Sequence, residues 1–188
     1  VSVSHSLVAA VLGSGIATAG FSRINDTVVT KVLLALAFSP VLGFLGAFIF
    51  MVIIYWAFRN WNLSNVNLLF SKLQILSAAF LSYSHGKNDA QNAIGMMALS
   101  WAVYVSQDVT VEPWMQLSCG LAIATGVAVG GWRVIHTLGS KVTNLIPASG
   151  FAANTAAAGV IEAASFIGLP VSTTHTTSTA IMGVGITR

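Results

Sequence analysis

Val171–Arg188 reads VSTTHTTSTAIMGVGITR, and it decides the fold because the chain carries it twice. Val1–Thr18, VSVSHSLVAAVLGSGIAT, aligns with it without a gap at an offset of 170, identical at seven of 18 positions. The identities are Val1/Val171, Ser2/Ser172, His5/His175, Ala10/Ala180, Gly13/Gly183, Gly15/Gly185 and Ile16/Ile186, and Ser4 faces Thr174 as one hydroxyl for another. A generic small-residue membrane helix would explain the glycines. It does not explain a matched V-S-x-[ST]-H, so we read the pair as a true duplication. Membrane proteins built from duplicated halves place their binding sites between the halves.

Composition agrees that the chain lives in a bilayer. Of 188 residues, 55% are hydrophobic and 7% charged, eight Lys/Arg against five Asp/Glu. An ordinary soluble domain is roughly 25% charged, and a surface cannot be covered by so few charges. Charge-free stretches run over 1–22, 32–58, 90–107, 113–132, 142–161 and 163–187, and about 20 apolar residues cross a bilayer as a helix. The mean hydropathy of +0.82 points the same way. A soluble enzyme and a nucleic-acid binder are excluded. The net charge of +3 is scattered singly, so no basic run marks a headgroup patch. The lone Cys119 allows no internal disulfide. No signal-peptide n-region opens the chain, and the first residue is Val, so a fragment of a longer protein is expected.

The duplication divides the chain into 1–18, the last element of a first repeat; 19–66, a connecting region with one long span; and 67–188, the second repeat. Phe21–Lys31 reads as an exposed connection and Val32–Phe58 as a span bent at Pro40. Arg59–Asn67 is the next loop, with Trp61 as an interface anchor. Leu68–Ser84 and Ala93–Val105 are apolar, with polar SHGKNDAQN interrupting them. Gln107–Pro113 is a turn, Trp114–Trp132 a span, Arg133–Lys141 a polar connection, and Pro147–Ile167 a largely apolar helix before GLPVSTTH. Trp101, Tyr104 and Trp114 read as further interface anchors. Lys and Arg are too evenly spread to set the orientation.

Two polar interruptions carry chemistry. In Ser84–Asn92 a helical period puts His85, Asn88, Asp89 and Asn92 on one stripe. A carboxylate beside amide oxygens suits a hard cation such as sodium, and Gly86 is expected to break the helix and free further carbonyls. An ionisable residue between apolar stretches is a functional candidate by default; a water-exposed loop is the competing reading. The second interruption is Pro170–His175. Ser172, Thr173 and Thr174 place three hydroxyls at a helix start, whose free N–H groups and dipole favour an anion. A plain N-cap needs only one hydroxyl. The first copy offers Ser2 and Ser4 at the equivalent place. Glu162, alone in an apolar helix, is either a proton or cation carrier or a hydrogen-bonded structural acid. His5 and His175 suggest a shared hydrogen bond at the helix start, and four scattered histidines make no zinc motif. No hydrolase or P-loop motif occurs.

SHGKNDAQNAIGMMAL resembles the second signature of the inorganic phosphate transporter (PiT) family, H-G-x-N-D-[AV]-x-N/K-[AS]-x-G. GGWRVIHTLGSKVTNLIPASGFAANTAAA and GLPVSTTHTTSTAIMGVG resemble the rest of that family's second half, especially its bacterial branch, and VSVSHSLVAAVLG the end of its first half. The resemblance covers nearly the whole chain. It implies an inverted-repeat secondary transporter that carries phosphate with a cation. It assigns the coupling cation to Asn88, Asp89 and Asn92, and phosphate to Ser2 and Ser4 with Ser172, Thr173 and Thr174. Val3 stands where the family usually has Thr, and the family's first copy of the N-D motif would precede Val1.

The expectation is therefore an all-α polytopic membrane protein, an inverted-repeat secondary transporter with discontinuous or re-entrant helices. It is a cation-coupled phosphate symporter of the membrane, multi-pass, in a bacterial inner or plasma membrane, and not an enzyme. Its partners are inorganic phosphate, a coupling cation (sodium or a proton) and the lipid bilayer, with no nucleic acid and no cofactor; a homodimer is left open. Alternatives are a sulfate permease on the same scaffold, an intramembrane enzyme using His85 and Asp89, and a non-transporting subunit or receptor.

Overall fold

The computed structural model describes residues 2–137 and 145–187, and within them every regular element is helical. Six α-helices follow in order: α1 Val3–Ala19, α2 Asp26–Phe58, α3 Leu63–Val105, α4 Pro113–His136, α5 Pro147–Phe166 and α6 Thr173–Gly185, with one 3₁₀ turn at Phe21–Arg23. The expected connection at Arg133–Lys141 lies partly outside the described residues, and its first residues, Arg133–His136, continue α4. Two other connections are shorter than expected. Asn25 caps α2 by accepting from the Val28 N–H, and Asn62 caps α3 by accepting from the Ser64 N–H. Each helix therefore starts at a capping amide.

Three helical stretches are long and apolar enough to cross a membrane, Asp26–Phe58, Leu63–Val105 and Pro113–Val134. Their outward faces carry large apolar side chains such as Phe38, Trp56, Leu117 and Val129, all exposed. In water that surface would be a liability; against lipid it is what a span requires. Trp101 stacks near Tyr104 and Trp114, with ring centroids 5.8 Å apart in each pair, where α3 hands over to α4. Amphipathic rings clustered at the ends of two spans fit a membrane interface. The chain is a multi-pass membrane protein.

Small residues build the interior. α5 packs against α2, α3 and α6, and its buried face is Ala148, Ser149, Gly150, Ala152, Ala153, Ala157, Ala158 and Ile161. Alanine lets helix axes approach closely where no hydrophobic force drives association. The α2–α6 contact is tighter still. A Cβ on Gly43 would sit 2.7 Å from the Thr176 carbonyl oxygen, and one on Gly183 would collide with the backbone of Phe44. Pro40 falls inside α2 and removes the N–H that the Leu36 carbonyl would accept. The Ser39 hydroxyl donates to that carbonyl at 3.3 Å, and the Pro40 carbonyl accepts from Thr179 Oγ1 at 2.8 Å. The proline is thereby tied to α6.

One expectation is overturned. Gly86 does not break the chain: α3 runs unbroken for 43 residues, through the whole of SHGKNDAQN. A single glycine costs a helix about 1 kcal/mol, too little to interrupt a segment that Lys87, Asn88, Asp89 and Asn92 tie to other elements. No freed carbonyls are available there, and the polar stripe stays in helical register. At about 1.5 Å per residue α3 is about 65 Å long, so it tilts or projects beyond a hydrocarbon layer of about 30 Å.

Candidate functional site

The polar stripe of α3 meets two helix starts. At α6, Ser172 is the N-cap and its Oγ accepts from the His175 N–H at 3.3 Å. At α1, Ser2 does the same for His5 at 3.2 Å, and the His5 ring also bonds Ser2 Oγ through Nδ1 at 2.7 Å. The two backbone caps are matched, but the histidine bond expected of both copies is made, among the described residues, by the His5 ring alone. His5 and His175 meet edge to face, with centroids 5.2 Å apart, so the two helix starts lie side by side. Ser2, Ser4, Ser172 and Thr173 are all buried. Helix starts buried in protein leave first-turn N–H groups without intrahelical acceptors, which is the anion-favouring arrangement of discontinuous helices.

Each helix start touches α3 through one hydroxyl. Thr173 Oγ1 donates to Asp89 Oδ1 at 3.2 Å, and Asn92 Nδ2 donates to Ser4 Oγ at 3.3 Å. Ser4 Oγ in turn donates to the Val171 carbonyl at 2.9 Å, which Asn88 Nδ2 also reaches at 3.3 Å. His85 Nε2 lies 3.0 Å from Asp89 Oδ2, one turn back on α3. The network therefore runs from α1 through α3 to α6, and Asn88, Asp89 and Asn92 are its centre. Ser2 and Ser172 act as caps, with their oxygens accepting. Thr174 is half-buried and its hydroxyl bonds to none of these groups. The two copies differ in which hydroxyl reaches α3, because Val3 is 59% exposed where α6 has buried Thr173.

Five features of the neighbourhood were not picked out from the sequence. Ser165 of α5 lies 3.5 Å from Asn88 Oδ1 and orients that amide. The Val171 carbonyl accepts two side-chain donors just before α6. A cavity of about 190 Å³ opens between Asn88, Gln91, Asn92, Ser165 and the Gly168–Pro170 turn. Gly168, at φ 71°, permits that turn. Lys87 Nζ forms an ion pair with Glu162 Oε2 at 2.8 Å, joining α3 to α5. Glu162 is thus neither solitary nor free. The pair was foreshadowed only by charge: Lys87 and Glu162 are isolated opposite charges in largely apolar helices.

The site sets two kinds of polar group side by side. Amide and carboxylate oxygens on α3 suit a hard cation, while hydroxyls and N–H groups at two helix starts suit an oxyanion. The two sets share hydrogen bonds.

The family model described as the phosphate transporter family matches residues 1–64 and 59–188. Among similar proteins, a probable low-affinity inorganic phosphate transporter of Bacillus subtilis (strain 168) is 40% identical over 98% of this chain and 56% of its own length. One of the same description from Rhizobium meliloti (strain 1021) is 41% identical over 100% of this chain and 57% of its own. The sodium-dependent phosphate transporter 2 of Homo sapiens is 43% identical over 65% of this chain and 20% of its own. A solved structure titled the sodium-dependent phosphate transporter superimposes with a TM-score of 0.84 at 26% identity, over 100% of this chain and 64% of that one. The chain thus spans a little over half the length of the two bacterial relatives.

Proposed function

This chain belongs to the phosphate transporter family, and on that premise we propose that it is part of a carrier that moves inorganic phosphate with a cation by symport across a bacterial plasma membrane. Relatives in the family are named as transporters, and the chain is a transport protein by membership, not an enzyme. We take residues 1–18 as the end of the first repeat, 19–66 as the connection and 67–188 as the second repeat.

The reading rests on one observation. A single stripe of α3 hydrogen-bonds to a hydroxyl at the start of α6 through Asp89, and to one at the start of α1 through Asn92. Phosphate held by Ser2, Ser4, Ser172, Thr173 and Thr174 with the first-turn N–H groups would sit within reach of a cation on Asp89, Asn88 and Asn92. Two mutually attracting ligands in a low-dielectric site each raise the other's affinity. A loaded site is less charged than one holding phosphate alone, so the barrier to moving it through the membrane falls. Charge-neutral donors also release their cargo more readily than an arginine clamp. Sodium is the preferred cation, because relatives of this chain are named sodium-dependent.

The test is labelled-phosphate uptake by proteoliposomes holding the full-length protein, first under an inward sodium gradient and then under a proton gradient. Sodium-driven accumulation that excess sulfate does not inhibit is expected. Proton-driven accumulation alone would make Asp89 a titrating carrier, equal inhibition by sulfate would point to a general oxyanion permease, and no accumulation under either gradient would sink the transport reading.

A further inference from the structure

Resting on the reading of Asp89 as a cation ligand, we propose that Glu162 is a positioning residue that keeps Asp89 available to the cation by holding the charge of Lys87. Lys87 lies two residues from Asp89 on another face of α3, and an unclaimed ammonium that close still weakens, through space, the hold of the carboxylate on a cation. The ammonium is claimed elsewhere. Its Nζ sits 2.8 Å from Glu162 Oε2, and 5.9 Å from the Tyr83 ring centroid on the same side. Asp89 makes its own bonds to His85 and Thr173, and none to Lys87.

The placement of Glu162 is specific. It stands on α5 three residues before Ser165, whose hydroxyl meets Asn88, so one face of α5 meets α3 through both contacts. Lys87 and Asn88 are neighbours, and the two cross-helix contacts clasp α3 on both. The charge balance follows. With Lys87 and Glu162 neutral as a pair, Asp89 carries the uncompensated negative charge of this group, apart from what His85 contributes. If Glu162 is neutralised, the net charge around the stripe rises by one. Across the width of a helix and with solvent screening, that change lowers cation affinity about fivefold.

A purely structural clasp and a charge-holding one predict different things for the double variant. The experiment is sodium titration of the purified full-length protein by calorimetry, with phosphate uptake measured alongside. Glu162→Gln is expected to weaken sodium binding about fivefold, and Lys87→Gln added to it is expected to return the affinity to near the unmodified value. Sodium binding by Glu162→Gln equal to that of the unmodified protein would overturn the proposal. So would a double variant no better than Glu162→Gln, because the clasp would then act only through geometry. An unmodified protein that binds sodium but does not accumulate phosphate would defeat the transport reading while the titration still decides the role of Glu162. One that binds no sodium would overturn both.

Discussion

The Val171 carbonyl accepts from Ser4 of α1 and from Asn88 of α3, and it immediately precedes the Ser172 cap. A backbone oxygen is therefore where three elements meet, and it carries no mark in the sequence. The side chains around it are more legible. Asn88, Asp89 and Asn92 fall on one stripe by the helical period alone, and the two V-S-x-[ST]-H copies announce two matched caps. Thr173 was legible as a hydroxyl but not as the partner of Asp89, since that contact joins residues 84 apart. Thr173→Val keeps the side chain's shape and removes only the hydroxyl. Uptake assays are expected to show a higher KM for phosphate with the protein's melting temperature little changed; an unaltered KM would remove Thr173 from the site. Ser39 offers a second residue-scale test. Ser39→Ala leaves the Leu36 carbonyl unpaired and is expected to cost about 1 kcal/mol. In a Pro40→Ala background, where the helical N–H returns, the same change is expected to cost much less by thermal unfolding in detergent.

At the scale of elements, α3 is where local preference and tertiary context part company. Gly86 and the polar run around it look like a break, yet the ion pair from Lys87 to α5 and the hydrogen bonds of Asn88, Asp89 and Asn92 hold the segment helical. Each bond reaches an element far away in sequence, so none could be read from the run itself. Gly43 and Gly183 show the converse. In the sequence Gly183 stands out only as a repeat identity and Gly43 not at all, but both allow the α2 and α6 backbones to touch. Gly183→Ala would drive a methyl group into the Phe44 backbone, with no flexible side chain to yield. Overpacking of that kind costs about 1–3 kcal/mol, and a lowered melting temperature in detergent is expected. Gly13, the matched residue of the first copy, has open space at its Cβ. Gly13→Ala is expected to leave the melting temperature unchanged or slightly raised, and equal losses at both positions would contradict this account of the packing.

At the scale of the molecule, the arrangement is two capped helix starts brought side by side and bridged by one stripe of a third helix. Duplication explains the matched caps, and low charge explains the apolar exterior; both were legible from composition and repeat. The bridging was not, because it depends on α5 and the Gly168 turn delivering α6 to α3. An account of coupling follows from the bridge. The carboxylate that would hold the cation already bonds the hydroxyl that would help hold the anion, so on the proposed reading each ligand would meet the other's partner. The measurement that tests this most directly compares unmodified protein with Asp89→Asn in proteoliposomes, reading labelled-phosphate uptake under an imposed sodium gradient at equal amounts of inserted protein. The account predicts uphill accumulation by the unmodified protein and its loss in Asp89→Asn. Near-normal sodium-driven accumulation by Asp89→Asn would contradict it.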